Sequence, residues 1–143
     1  MIGKWTWETA KTAYGAGIIV VKKNEKEWKV LGLWARGGYD IPKGHLEDGD
    51  DIFETALRET KEETGIEDLR FKWGKEPFRE DNLFIFLAQT EQEPEVKKNV
   101  ESGLYEHDHA KWLSWEKMTS NTYEYLKPSI KKAREIVYEV ENC

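Results

Sequence analysis

Hydrophobic and polar positions repeat with two different periods along this chain. Tyr14 to Lys22 (YGAGIIVVK) carries an unbroken Ile-Ile-Val-Val run, which predicts a strand buried on both faces. A polar turn follows at Asn24 to Glu27. Trp28 to Ala35 (WKVLGLWA) then alternates, as a second strand paired to the first in a hairpin would. Gly37-Gly38 breaks it, and Tyr39 to Pro42 leads into a glycine-containing loop. The period then changes. Ile52, Phe53, Ala56 and Leu57 recur at helical spacing and predict a core-facing stripe. Asp50 or Asp51 suits the N-cap, Glu54 stands where an Asp51 cap wants its capping-box partner, and Gly65 suits the left-handed close.

Further on, Leu69 to Trp73 and Asn82 to Thr90 (NLFIFLAQT) predict strands joined by a polar connector, Gly74 to Asp81. Glu91 to Ser102, charged and containing Pro94, predicts a surface loop, and His109 to Trp115 (HAKWLSW) a late strand. Pro128 suits the first turn of a final helix, Ser129 to Val140, striped by Ile130, Ala133, Ile136, Val137 and Val140. Near the start, Trp5 and Trp7 alternate with Lys4, Thr6 and Glu8 as a short edge strand would. Strands before a central helix, more strands after it and a terminal helix predict a mixed α/β or α+β domain.

The length of 143 residues predicts one domain over 1–143, with no repeat or dividing linker. A net charge of −6 argues against a broad, sequence-independent grip on nucleic acid, although metal ions can still bring phosphates to an acidic protein. Cys143 is the only cysteine, so no internal disulfide forms and a reducing cytoplasm is the expected compartment. The longest apolar run, around Ala16 to Val21, is too short to span a bilayer, and no membrane partner is expected.

The chemistry gathers on the central helix. At about 100° per residue, Glu59, Glu62 and Glu63 share one narrow arc. Each like-charge pair at i,i+3 or i,i+4 costs roughly 0.2–0.5 kcal/mol, a repulsion that a hard divalent cation such as Mg²⁺ or Mn²⁺ would turn into attraction. The plainer reading is a solvated glutamate face, with Arg58 pairing Glu62 at i+4 and Lys61 adding a counter-charge.

The order of residues separates the two. Gly44, five residues, Asp50, seven residues, then Arg58-Glu59-Thr60-Lys61-Glu62-Glu63-Thr64-Gly65-Ile66 resembles the box of the Nudix hydrolase family, here residues 44–66. Asp50 stands where that pattern has glutamate and Thr60 where it has an aliphatic residue; the Arg-Glu-x-x-Glu-Glu core is intact. The resemblance, recognisable from about Tyr14 to Trp115, implies a mixed sheet sandwiched between helices. It also implies metal-dependent hydrolysis of a nucleoside diphosphate linked to another group. Carried over, Glu59, Glu62, Glu63 and the Gly44 carbonyl hold Mg²⁺ or Mn²⁺, and Arg58 orients a neighbouring carboxylate. The base is a box glutamate, Glu59 or Glu62, or a carboxylate from a later loop. For the latter, Tyr105 to Trp112 (YEHDHAKW) resembles a segment of family members that act on dinucleoside polyphosphates and capped RNA, which selects Glu106 as additional ligand or base. His107 and His109 fit a loop hydrogen bond or substrate contact better than a zinc site.

The run Ile41 to Ile66 most resembles the asymmetrical diadenosine tetraphosphate hydrolases, which implies Lys43 and His45 on the phosphate chain. A nucleobase would stack on Tyr39, Tyr14 or an aromatic near Phe84. The lysine and tyrosine of that group ahead of the NLFIFLA strand are absent; Asp81, Asn82 and Ile85 lie there, and Arg79 is the candidate replacement for the lysine. The same box also resembles RNA 5′-pyrophosphohydrolases and diphosphoinositol polyphosphate hydrolases, and a non-catalytic nucleotide-binding module is the alternative from another class. The expected partner is a small nucleotide polyphosphate, with an RNA 5′ end as the variant of it.

Overall fold

The strand β1 (Gly15–Asn24) organises the sheet, because both of its edges are taken and one of them is shared. The computed structural model describes residues 14–47, 49–96 and 107–141. On one edge β1 pairs in parallel with β6 (Leu83–Gln89), from Gly15 opposite Leu83 to Val21 opposite Gln89. On the other edge it pairs antiparallel with β2 (Glu27–Ala35), but only from Val21 opposite Val30 to the turn at Glu25 and Lys26. There the two strands part. Residues 38–45 fill the gap, with β3 (Gly38–Asp40) on β2 and β4 (Lys43–His45) on β1. The Ile18 amide donates to the Pro42 carbonyl at the crossing point, 3.1 Å. The far edge of β2 takes β7 (His109–Leu113), and β5 (Phe78–Glu80) closes the sheet beyond β6.

Both faces are covered. Ile19, Val21, Val30, Ile85 and Leu87 pack against Trp115 and Met118 of α2 (Trp115–Asn121) and Ile130, Ala133 and Val137 of α3 (Lys127–Glu141). A 3₁₀ turn, Glu124–Leu126, joins these two helices. Ala16, Ile18, Val20, Leu31, Leu33, Phe84 and Phe86 pack against Ile52, Phe53, Ala56 and Leu57 of α1 (Ile52–Thr64). A mixed seven-stranded sheet between helices is the architecture expected, and it explains why β1 lacks polar alternation. Among the described residues, no helix is long and apolar enough to cross a membrane.

The α1 caps form as expected, with Asp51 as the N-cap accepting the Glu54 amide at 2.9 Å and Gly65 at φ 74° donating to the Lys61 carbonyl. Asp50 instead accepts the Glu47 amide at 2.9 Å and closes the loop ahead of the helix. Thr60 and Thr64 are fully buried, and their hydroxyls donate to the Ala56 and Thr60 carbonyls one turn back. A threonine thus fits the usual aliphatic position because the helix satisfies its hydroxyl.

Three expected boundaries are corrected. Leu69 to Trp73 is not a strand; it makes one bridge, Arg70 to Gln89, and turns at Gly74, φ 102°. Its apolar spacing arises because Leu69 and Phe71 pack on the α1 side while Trp73 packs edge-on against Trp28 on the other. The Gly74 to Asp81 connector contains β5, since buried Phe78 pairs opposite Ile85 across a turn with Asp81 at φ 51°. The last strand ends at Leu113, where Ser114 caps α2 by accepting the Lys117 amide. In the final helix Val140 lies exposed, outside the stripe that Ile130, Ala133 and Val137 bury. The Trp5 to Trp7 strand and residues 97–102 of the charged loop lie outside the described residues.

Candidate active site

The splayed strands put the loop carrying β4 directly over the second half of α1. Gly44 faces Glu59 there so closely that a β-carbon at 44 would overlap the Glu59 carboxylate. One residue earlier, the Lys43 amide donates to Glu63 Oε1 at 3.3 Å. Arg58 spreads across the neighbouring carboxylates, with Nη1 3.7 Å from Asp50 Oδ2, Nη2 3.6 Å from Glu59 Oε2 and Nε 3.9 Å from Glu62 Oε1. These are ionic contacts rather than short hydrogen bonds, and they hold Glu59 and Glu62 on one side of the helix. Asp50 therefore anchors Arg58 even with the shorter arm.

Glu59, Glu62, Glu63 and Gly44 are thus brought to one place. As they stand, among the described residues no three His, Cys, Asp or Glu side chains converge at metal-ligand distances. The donor set nevertheless fits a hard divalent cation: oxygen ligands only, from one helical arc and the loop pressed against it. Glu106 lies outside the described residues.

The other expected residues separate. Tyr39 is 5 % exposed and packs edge-on against Trp34 and His109, so its ring is a core element and not a presented surface. Phe84 is likewise buried, with the Arg79 guanidinium 5.6 Å from its ring. Tyr14 is 45 % exposed, and its ring lies 5.8 Å from that of exposed His45. His109, half-buried, stacks parallel to half-buried Trp34 at 6.1 Å.

Lys43 does not stand free in solvent. Its ammonium is 2.9 Å from Asp40 Oδ2, and Asp40 Oδ1 accepts the Ile41 amide at 2.8 Å. His107 Nε2 lies 3.6 Å from the same Asp40 oxygen, and the Tyr125 hydroxyl sits beside the Lys43 ammonium. Burial alone would raise the Asp40 carboxyl, but the His107 imidazole and the Lys43 ammonium outweigh it and hold the group below its ordinary value. Burial likewise pulls Lys43 down, and Asp40, then Tyr125, more than reverse it, so the ammonium is held charged. Desolvation and the nearby Asp40 charge raise the Tyr125 phenol.

Asp40 and Tyr125 are the residues that sequence reasoning missed. For Asp40 a signal existed, an acid three residues before a loop lysine. For Tyr125, which reaches Lys43 from the turn before α3, no local signal exists.

The NUDIX domain model matches residues 11–136. Nudix hydrolase 6 of Arabidopsis thaliana is 32% identical over 118 residues, covering 77% of this chain and 38% of that protein. The asymmetrical bis(5′-nucleosyl)-tetraphosphatase of Mus musculus is 69% identical over 26 residues, 18% of each chain. In three dimensions the C. elegans Ap4A hydrolase in a binary complex superposes with a TM-score of 0.72 at 23% identity, covering 87% of this chain and 98% of that one, a likeness of fold. The chain spans less than two fifths of the length of the first curated relatives, 38% and 37%. With the family model covering nearly all of it, and the box carboxylates folded against Gly44 and Arg58, the chain belongs to the NUDIX family.

Proposed function

We propose that residues 1–143 act as one domain, a metal-dependent hydrolase of phosphoric anhydride bonds whose substrate is a dinucleoside polyphosphate such as diadenosine tetraphosphate. The cytoplasm is its expected compartment. The observation that carries the reading is the three α1 carboxylates at the box loop, with Glu59 against Gly44, Glu63 on the Lys43 amide, and Arg58 bracketing Glu59 and Glu62. The substrate class is supported by the 26-residue match to the asymmetrical tetraphosphatase.

Glu59, Glu62, Glu63 and the Gly44 carbonyl would hold Mg²⁺ or Mn²⁺. When bound, the cation neutralises charge on the phosphate oxygens and acidifies a water. The chain's own residues do the rest. Arg58 keeps Glu59 and Glu62 from swinging apart in the cation's absence. A carboxylate oxygen of Glu59, Glu62 or Glu106 accepts the proton of the attacking water. Lys43 has three N–H donors, of which Asp40 takes one and the Tyr125 hydroxyl a second, so one remains for a phosphate oxygen. Tyr14, alone of the three aromatic candidates in being exposed, offers a base platform worth about 1–3 kcal/mol beside His45. Attack on an outer phosphorus forms the new P–O bond, breaks the bridging P–O bond and releases ATP and AMP.

The test is a substrate panel with and without Mg²⁺ or Mn²⁺, including dinucleoside polyphosphates, diphosphoinositol polyphosphates and 5′-triphosphorylated RNA, with products separated by chromatography. In ¹⁸O-water the label should appear in AMP. Two ADP as sole products would overturn the cleavage register. Turnover of the RNA alone would replace the substrate class. Binding of nucleotides without turnover under any metal condition would make the chain a non-catalytic module.

A further inference from the structure

We propose that Asp40 is a positioning residue that ties Lys43, at the entrance of the box, to His107, the residue that directly follows Glu106. Its consequence for catalysis rests on the proposed function; the tie itself does not.

Asp40 is 6 % exposed, and its carboxylate is used on both sides. Oδ1 accepts the Ile41 amide, which fixes the plane of the group. Oδ2 then faces two elements far apart in the chain: the Lys43 ammonium at 2.9 Å and His107 Nε2 at 3.6 Å, the imidazole itself buried at 7 %. A lysine stem has four rotatable carbons and ordinarily loses much freedom on gripping a ligand. Pinned by Asp40, that stem is ordered before any ligand arrives, so less freedom is lost on binding. A simple satisfied ion pair would need only Lys43. The second contact, to His107, holds the residue that follows Glu106 in sequence by the same carboxylate. Asp40 itself faces no carboxylate of α1 in any described contact and acts through its partners.

The experiment compares Asp40→Asn, Lys43→Met and the double variant, using the substrate that the panel identifies and circular dichroism to check folding. Asp40→Asn should lower kcat/KM about tenfold, and the double variant should lose no more than Lys43→Met alone, because groups that share one interaction are non-additive. Multiplicative losses, or an unchanged kcat/KM for folded Asp40→Asn, would overturn the proposal. A second readout needs no turnover and no Asp40 variant: the imidazole ¹H–¹³C signals of His107. Lys43→Met should shift them, since removing the ammonium releases the shared carboxylate. Unmoved His107 signals in folded Lys43→Met would overturn the tie. A panel with no turnover would sink the proposed function and leave this arm to decide the inference.

Discussion

Gly44 is a glycine because Glu59 occupies the space where its side chain would be. The overlap involves the carboxylate itself, and Gly44 is not among the glycines with positive φ, so space rather than backbone freedom demands the residue. Gly44→Ala should displace Glu59 toward solvent and lower turnover by about 10²-fold, as ångström-scale misplacement does, while circular dichroism stays native. A fully active Gly44→Ala would mean that Glu59 does not work from this position.

Glu63 accepts the Lys43 amide, and Glu63→Gln preserves an acceptor there while removing the charge. The fold should survive. Turnover at saturating Mg²⁺ should fall by several kcal/mol of transition-state stabilisation, roughly 10³-fold or more. Near-normal steady-state rates would remove Glu63 from the metal site.

The Asp40 and Lys43 shifts set a pH window for stability. The folded Asp40 carboxyl lies below its ordinary 3.8, so its contribution is complete above that value and is lost as pH falls further. Lys43 lies above its ordinary 10.5, so its contribution is complete below that value and is lost as pH rises past it. Urea unfolding of wild type against Asp40→Asn should therefore show a difference that shrinks as pH falls below about 4. A difference that grows on acidification would contradict the direction assigned to Asp40.

Thr60 is fully buried on α1, where its hydroxyl only adds to a carbonyl that the helix already uses. Thr60→Val removes the hydroxyl without orphaning a partner, so stability should rise or fall by no more than about 1 kcal/mol. A larger loss in thermal or urea unfolding would show that the hydroxyl contributes more than the helix geometry implies.

Gln92 holds the chain that leaves α1. Its Oε1 accepts the Glu67 and Asp68 amides at 2.9 and 3.1 Å, and its Nε2 donates to the Gly65 carbonyl at 2.9 Å. Gln92→Ala should cost about 1–3 kcal/mol, with faster amide exchange at Glu67 and Asp68. Unchanged exchange at both amides would count against the clamp.

Much of the fold was legible in the order of residues, because the interactions that set it are short in range. The caps of α1 use groups three or four residues apart, and its core stripe repeats within a few turns. The run of β1 announced a strand covered on both faces, and it is. Where reading failed at Leu69, Phe71 and Trp73, distant partners overrode local pattern, because these residues alternate to serve two separate cores. The short β5 was missed for another reason: its partner lies close by, Phe78 opposite Ile85, but three residues with one buried side chain carry too little alternation to read.

The same division holds at the candidate site. Glu59, Glu62 and Glu63 share one arc beside Arg58 on residue order alone, since helical spacing leaves no alternative. That β1 and β2 part and let residues 38–45 between them, which lays Gly44 on Glu59, emerges from the assembled sheet. Tertiary packing likewise leaves Tyr14 exposed while Tyr39 and Phe84 are buried. Asp40 meets His107, and Lys43 meets Tyr125, for the same reason. Those contacts join segments whose separation along the chain is bridged by sheet register and helix packing, and no local pattern encodes where such segments meet.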